Sequence, residues 1–162
     1  MHPLPDTIVP LLEAMKKLNA SDLHLKVGVP AVYRVGGELR KSDLVPFTPG
    51  EHQIEKLMYA IMPKKRQEDF EARGAADFSF HLASTGDRYR INVLKSYDQM
   101  HVAIRRVKAT VPDFNELHLP PIYRKLTEQT FEGMILVVGV TGSGKSSTLA
   151  AMIDHINSIR SD

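Results

Sequence analysis

Apolar and polar residues alternate in several short stretches of the first two thirds of the chain. A period of two is typical of β-strands with one buried face. The clearest example runs through Leu23, Leu25 and Val27, with a polar residue between each pair. Gly36 and Gly37 separate two further stretches and predict a tight hairpin turn. The pattern predicts strands over 21–27, 31–35, 38–44, 77–82 and 88–95, and another through 100–104.

Elsewhere apolar residues recur every three or four positions, which predicts amphipathic helices. Asp6 or Thr7 is expected to cap the first of them, with Pro10 in its first turn, where a missing N–H group costs little. The sequence at 48–51 matches a capping box, and Gly74 is expected to end a later helix. The predicted helices run over 6–19, from 48 to 62, and over 64–73, 121–129 and 147–156.

The last two predicted strands of the first region suggest a definite pairing. A two-residue turn at 97–98 would place Ile91 opposite Ile104, and on the other face Arg90 opposite Arg105. Two facing guanidinium groups repel each other unless an anion or an acidic partner lies between them. The alternative is a pair of solvated arginines whose tips diverge. Spacing alone leaves both interpretations open.

The order of these elements predicts two regions. Residues 1–108 have the antiparallel strands and short helices of an α+β domain. The proline-rich stretch 109–121 lacks a clear period and predicts a linker between domains. Residues 122–162 would begin a second domain, with Ile122 and Leu126 facing inward from its first helix.

A glycine-rich stretch in the second region carries the most specific motif of the chain. The apolar run 134–138 predicts a buried parallel strand. The next eight residues, Gly139-Val140-Thr141-Gly142-Ser143-Gly144-Lys145-Ser146, match the phosphate-binding loop G-x-x-x-x-G-K-[ST]. Apolar residues at helical spacing follow the motif. A strand before the loop and a helix after it argue against the alternative of a chance glycine-rich turn.

The residue types of this loop suit a nucleoside triphosphate. Glycines allow successive N–H groups to point at an anion, and the helix start adds further donors and the positive end of its dipole. Lys145 is expected to reach the β- and γ-phosphates of ATP, and the Ser146 hydroxyl to ligate Mg²⁺. The candidate nucleotide-binding residues are Gly139, Thr141, Gly142, Ser143, Gly144, Lys145, Ser146 and Ser147.

Composition restricts the class of protein only broadly. The apolar fraction of 43% and the charged fraction of 25% are ordinary for a soluble globular protein. A net charge of +2 is too small to indicate nucleic-acid binding or membrane association. The chain has no cysteine, which excludes disulfides and thiolate metal sites and suits a cytoplasmic protein. No stretch has the length of a transmembrane helix, so no membrane insertion is expected.

His24 lies close in sequence to Ser21 and Asp22, so a metal site and a catalytic role must be considered for it. Without a second ligand at metal spacing, a surface or hydrogen-bonded histidine is a better interpretation than a metal site. Asp22 lies two positions earlier on the same face, so the two side chains can pair with each other or with an arginine. Together with Ser21 they are too close along one strand to form a nucleophilic triad.

Several stretches together resemble the secretion ATPases of type IV pilus and type II secretion systems. Within that family the pilus-retraction motors of twitching motility are the most similar, because the ASDLHL strand follows one short helix rather than an additional N-terminal domain. Val140 departs from the family, which usually has proline there. The matching stretches are 20–25, 34–37, 76–80, 88–92, 102–105 and 139–147.

This resemblance implies a PAS-like N-terminal α+β domain followed by the first strand, P-loop and helix of a RecA-like α/β ATPase domain. It also implies a cytoplasmic hexameric ring that binds ATP and Mg²⁺ and reaches the inner membrane through platform proteins of the pilus or secretion system. Arg90 and Arg105 match the arginine fingers that approach the γ-phosphate, with Arg88 a weaker candidate. No nucleic-acid partner is implied.

The sequence ends about one helix after the phosphate-binding loop. The family's Walker B acid would lie beyond Asp162, and a RecA-like sheet cannot form from one strand. The chain is therefore expected to be a truncated fragment that binds nucleotide weakly, does not hydrolyse ATP alone, and dimerises or swaps through exposed apolar faces. Three interpretations stay open: a fragment of a motor ATPase for retraction, extension or type II secretion, a non-hydrolysing assembly module, and another P-loop enzyme such as a kinase.

Overall fold

The computed structural model describes residues 1–130, 132–140 and 143–160. The chain forms two compact units, Met1–Ala109 and Thr110–Asp162. Within the described ranges there is no helix with the length and apolar character needed to cross a lipid bilayer.

The first unit is built on a six-stranded sheet in which all paired strands are antiparallel. The strand order is β3-β2-β1-β6-β5-β4, so the first strand pairs with the last at the centre of the sheet. The predicted strands are confirmed with modest changes at their ends. The strands are β1 (Asp22–Leu25), β2 (Val32–Val35), β3 (Glu38–Lys41), β4 (Ala75–His81), β5 (Arg88–Ser96) and β6 (Gln99–Val107).

The hydrophobic core of this unit lies on one face of the sheet. Apolar residues of the strands and of three helices, α1 (Val9–Lys17), α2 (Gln53–Tyr59) and α3 (Lys64–Arg73), are excluded from water there. Each large apolar side chain buried in this way stabilises the fold by about 1.5–3 kcal/mol. Polar side chains alternate with the buried ones and occupy the opposite face. The most deeply buried side chains include Leu12, Met15, Leu23, Ile54, Met58, Tyr89, Ile91 and Ile104.

The hairpin between β5 and β6 has the predicted register. Tyr97 and Asp98 form the two-residue turn, with φ angles of 48° and 59°. Two positive φ values are typical of a type I′ turn, whose twist matches that of the flanking strands. Ile91 lies opposite Ile104, and the prediction that Arg90 faces Arg105 is confirmed.

The start of α1 differs from the prediction. The helix begins at Val9, and Ile8 occupies the cap position without a side-chain hydrogen bond to the helix. Neither Asp6 nor Thr7 is therefore the cap. Pro10 lies in the first turn as predicted, where its missing donor leaves no helical hydrogen bond unmade.

The capping box predicted at 48–51 does not form. Gly50 and His52 both have positive φ, so the chain turns there and α2 begins only at Gln53. The Gln53 side chain accepts a hydrogen bond from the Thr48 backbone N–H (2.9 Å) and donates one to Glu51 (2.6 Å). The third helix, α3 (Lys64–Arg73), follows the prediction, and Gly74 ends it in the left-handed conformation.

The second unit has two helices, α4 (Ile122–Gln129) and α5 (Lys145–Ile159), and a small core. Phe114, Ala151 and Met152 form that core. The inward position predicted for Ile122 is wrong, because that side chain is exposed and Thr127 is buried instead. The helix is therefore rotated relative to the apolar stripe inferred from the sequence.

The strand predicted at 134–138 is not formed. Met134, Leu136 and Val138 have exposed fractions of 83%, 76% and 85%, and no described residue pairs with this segment in a sheet. A parallel strand needs neighbours for its backbone hydrogen bonds and for both of its faces. The second unit offers no such neighbours among its described residues, so the segment remains irregular.

Candidate functional site

A row of charged side chains crosses four neighbouring strands on the polar face of the first unit. Backbone pairing places Arg34 opposite Asp22, Asp22 opposite Arg105, and Arg105 opposite Arg90. Directly paired residues of antiparallel strands project to the same face, so all four side chains share one surface. Three guanidinium groups and one carboxylate leave this arginine row with a net charge of +2.

Asp22 is the most constrained member of the arginine row. Its Oδ1 accepts a hydrogen bond from Arg105 Nε (2.9 Å), and its Oδ2 accepts one from Ser21 Oγ (2.8 Å). Arg34 Nε lies 3.4 Å from the same Oδ2. Burial raises the pKa of the Asp22 carboxyl, but the Ser21 hydrogen bond and the bond and charge of Arg105 outweigh this effect and leave the pKa below its ordinary value. The carboxylate is thus ionised at neutral pH.

The two facing arginines have different surroundings. Arg105 is held through Nε, its side chain is 71% exposed, and its terminal nitrogens donate to no group in the described part of the chain. The exposed Arg90 guanidinium has no hydrogen-bond or ion-pair partner among the described residues. Donors without partners on adjacent strands are suited to an anion with several oxygen atoms, such as a phosphate group.

The arginine row borders an open concavity of about 730 Å³. Its floor is Ala103, which lies between His24 on β1 and Asn92 on β5. Asn92 donates a hydrogen bond to Asp77 Oδ1 (3.0 Å) across β4 and β5. The small side chain of Ala103 leaves room for a ligand to approach the sheet beside Arg90.

The sequence interpretation of Asp22 and His24 is partly confirmed. Asp22 pairs with arginines, whereas the described residues show no hydrogen bond between Asp22 and His24. No cluster of three or more His, Asp or Glu side chains suited to a metal ion is found in the ranges that the structure describes. The sequence did not identify Arg34 as a partner of Asp22, because that contact requires knowing that β2 lies beside β1.

The glycine-rich loop of the second unit leads directly into α5. A side chain at Gly139 would place its Cβ 2.6 Å from Ser143 Oγ, so any larger residue there requires the Ser143 side chain to move. Gly144 has a φ of 89°, a conformation that other residues rarely adopt. Thr141 and Gly142, the other two predicted loop residues before the helix, lie outside the described residues.

The first turn of α5 contains the predicted Lys145, Ser146 and Ser147. No side chain among the described residues caps this 15-residue helix, which leaves its first N–H groups to an anion. Lys145 Nζ donates to the Val140 carbonyl (2.8 Å), which places the ammonium over the loop. A glycine turn, free amide donors and a nearby ammonium fit the phosphates of a nucleotide. The exposed Ser146 hydroxyl, next to Lys145, can serve as a Mg²⁺ ligand.

Comparison with protein families shows the family of the chain. The family described as "Type II/IV secretion system protein" matches residues 1–161. The chain belongs to this family. Proteins of Pseudomonas aeruginosa are among its relatives. The type IV pilus retraction ATPase PilT is 37% identical over 94% of this chain and 43% of its own length, and the type IV pilus ATPase PilU is 31% identical over 91% and 37%.

A solved structure supports the same relationship. The crystal structure of the pilus retraction motor PilT with bound ADP is 38% identical and superposes with a TM-score of 0.78. The alignment covers 93% of this chain and 43% of that one. The chain thus spans about two fifths of the length of the relatives that it matches. The resemblance to secretion and pilus ATPases inferred from the sequence is confirmed at the level of the family.

Proposed function

We propose that the chain is part of a ring-forming motor ATPase that uses ATP to drive type IV pilus retraction. The single observation that carries the proposal is the phosphate-binding sequence at the start of α5, in a chain 37% identical to PilT. This proposal includes a hexameric ring and a cytoplasmic location at the membrane periphery, with inner-membrane platform proteins as partners. It also includes a PAS-like domain over 1–108, a linker over 109–121 and a RecA-like domain over 122–162.

In this proposal the loop and the start of α5 hold the nucleotide. The backbone donors of Gly139–Ser147 surround the phosphate oxygens, and Lys145 neutralises part of their charge. Ser146 would ligate Mg²⁺, which supplies charge stabilisation to the transferring phosphate when bound. The space-limited Gly139 and the uncapped helix support this assignment.

Arg90 and Arg105 are proposed as the groups that stabilise charge on the γ-phosphate. Their direct cross-strand pairing brings two positive charges together, and among the described residues only Arg105 has a carboxylate as its hydrogen-bond partner, that of Asp22. Without a ligand this arrangement costs electrostatic energy. Anion binding would offset that cost. Arginines in such a role increase phosphoryl-transfer rates by orders of magnitude.

Residues 1–162 are proposed to bind nucleotide without turning it over. Hydrolysis also requires an acid that positions Mg²⁺ from a separate strand, and residues 147–159 lie in one helix. A non-hydrolysing assembly module is the second candidate function. The exposed apolar side chains of Met134, Leu136 and Val138 favour it, because such surfaces commonly mark contacts with other chains.

Calorimetric titration with Mg²⁺ and a non-hydrolysable ATP analogue tests the proposal. We expect Lys145→Ala to weaken binding at least tenfold, since it removes a charge-assisted contact to phosphate. Lys125→Ala removes a charge from an exposed position of α4 and should leave the affinity unchanged. The Arg90→Ala, Arg105→Ala double variant tests the arginines. Its control is Arg40→Ala, because the Arg40 side chain is exposed and pairs with Glu38.

The outcomes separate the two functions. Binding that depends on Lys145 supports the nucleotide-binding proposal. Absence of binding in the wild-type chain, together with concentration-dependent self-association in sedimentation, would contradict it and favour the assembly module. Turnover of ATP that is lost in Lys145→Ala would contradict the proposal that residues 1–162 do not hydrolyse the nucleotide.

A further inference from the structure

The contacts of Asp22 indicate that the three arginines of the row have different roles. Asp22 is only 8% exposed, and both of its carboxylate oxygens have partners. It contacts Arg105 through Nε, the nitrogen nearest the backbone, rather than through the terminal nitrogens. A hydrogen bond at Nε fixes the guanidinium plane while both terminal amino groups stay available to a ligand.

We propose that Asp22 is a positioning residue for phosphate binding, which holds Arg105 through Nε so that its terminal nitrogens and the Arg90 guanidinium contact one anion. This inference rests on the proposed role of Arg90 and Arg105 toward a nucleotide phosphate. Arg34 has a supporting role. It lies on the other side of Asp22 and donates to the Gly37 carbonyl (2.9 Å), so it is directed away from Arg90.

The proposal predicts an effect opposite to that expected from charge alone. Asp22 carries a negative charge beside an anion site, so simple electrostatics predicts tighter anion binding when it is neutralised. Positioning predicts the reverse, because a released Arg105 must lose side-chain freedom each time an anion binds. The sign of the change in affinity therefore distinguishes the two explanations.

Asp77 provides a matched control on the same surface. It lines the same concavity, and its carboxylate accepts a hydrogen bond from Asn92 but contacts no arginine among the described residues. Asp77→Asn removes the same charge as Asp22→Asn without releasing Arg105. Comparison of the two variants thus separates charge from position.

The experiment titrates the ¹⁵N-labelled chain with pyrophosphate and follows the Nε–Hε resonances of its arginines. Asp22→Asn should weaken binding about tenfold, the equivalent of one charge-assisted hydrogen bond. Asp77→Asn should strengthen binding about twofold or less, because its exposed charge is screened. In an Arg105→Gln background, Asp22→Asn should no longer weaken binding. A cooperative thermal unfolding transition would show that the variants are folded.

Distinct results overturn the inference and the proposal beneath it. Equal strengthening by Asp22→Asn and Asp77→Asn would show that Asp22 acts only as a counter-charge, while the arginines remain a phosphate site. Unchanged affinity in the Arg90→Ala, Arg105→Ala double variant would refute the role of the arginines and this inference with it. Lys145→Ala should leave the response of the arginine resonances to pyrophosphate unchanged. That result would separate binding at the arginine row from binding at the loop.

A measurement on the wild-type chain decides the matter if Asp22→Asn does not fold. Arg105 Hε is hydrogen-bonded to Asp22, so it should exchange with water much more slowly than Arg90 Hε. This protection should persist in saturating pyrophosphate, since the anion uses the terminal nitrogens. Loss of the protection on pyrophosphate binding would mean that the anion displaces Asp22, which contradicts a positioning role.

Discussion

Replacement of Asp87 by asparagine is expected to destabilise the first unit strongly. Asp87 Oδ2 accepts a hydrogen bond from Arg106 Nε (2.6 Å), and the exposed fractions of the two side chains are 4% and 7%. Asp87 Oδ1 accepts a second bond from the Ala109 backbone N–H (2.9 Å). Arg106 also donates to the Met15 carbonyl at the end of α1 (3.5 Å). The pair therefore joins the β5–β6 edge to the first helix.

The size of the effect follows from the burial of Arg106. Asparagine keeps the shape of the side chain but turns an N–H group toward one of the two donors, and it leaves the guanidinium without a counter-charge. Removal of one partner from a buried ion pair typically costs about 3–5 kcal/mol. That is a large part of the roughly 5–15 kcal/mol that stabilises an average domain. Asp69 forms a partly exposed pair with Arg66, so Asp69→Asn should lower the free energy of unfolding by about 0.5 kcal/mol or less.

Urea unfolding followed by far-ultraviolet circular dichroism measures these differences. Asp87→Asn should lower the denaturation midpoint markedly at a nearly unchanged slope, whereas Asp69→Asn should not. Addition of Arg106→Gln to Asp87→Asn should recover part of the loss, because the stranded charge is removed. If Asp87→Asn proves as mild as Asp69→Asn, the pair does not stabilise the fold and the reasoning from burial fails.

Two smaller predictions concern acidity and the hairpin turn. Burial raises the pKa of the Asp87 carboxyl, but the Ala109 N–H and Arg106 lower it more; the pKa of Asp22 is also depressed. The two carboxylates thus stabilise the fold at a pH above their ordinary pKa of about 4, and this contribution is lost as the pH falls through their lower pKa values in the folded state. The melting temperature should therefore drop steeply below pH 4. The drop should be less steep in Asp87→Asn. Tyr97→Asn should stabilise the chain by about 1 kcal/mol in urea unfolding, since asparagine tolerates the positive φ of 48° better than tyrosine; unchanged stability would argue against a strained turn.

Local patterns predicted most elements of the first unit, because every strand there except β3, whose four residues are exposed, has buried side chains on one face. Leu23 and Leu25 are buried in β1, as their alternation with polar residues predicted. The turn at 97–98 sets the register that pairs Arg90 with Arg105. The capping box at 48–51 failed because its residues turn the chain, with the Gln53 side chain bonded back to it. A short motif specifies only which hydrogen bonds are available, and the surrounding chain decides which of them form.

The candidate site was predictable only as far as its contacts were local. The phosphate-binding loop is a continuous motif, so Lys145 and Ser146 could be named from the sequence. The contact between Asp22 and Arg105 joins residues far apart in the chain, and it depends on β1 lying beside β6. No local period contains that information. The partnership of Asp87 with Arg106 was missed for a related reason, since Asp87 is outside any strand.

The arginine row and the phosphate-binding loop lie in units whose hydrophobic cores differ greatly in size. The arginine row belongs to a unit whose described residues contribute 23 buried apolar side chains to one core, whereas the described residues of the unit with the phosphate-binding loop contribute three to theirs. Conformational entropy opposes folding by a similar amount per residue in both units. The row is therefore expected to keep its geometry without a ligand, while the loop depends on additional contacts that cover Leu136 and Val138. Pyrophosphate binding at Arg90 and Arg105 thus tests the arginine row independently of the phosphate-binding loop.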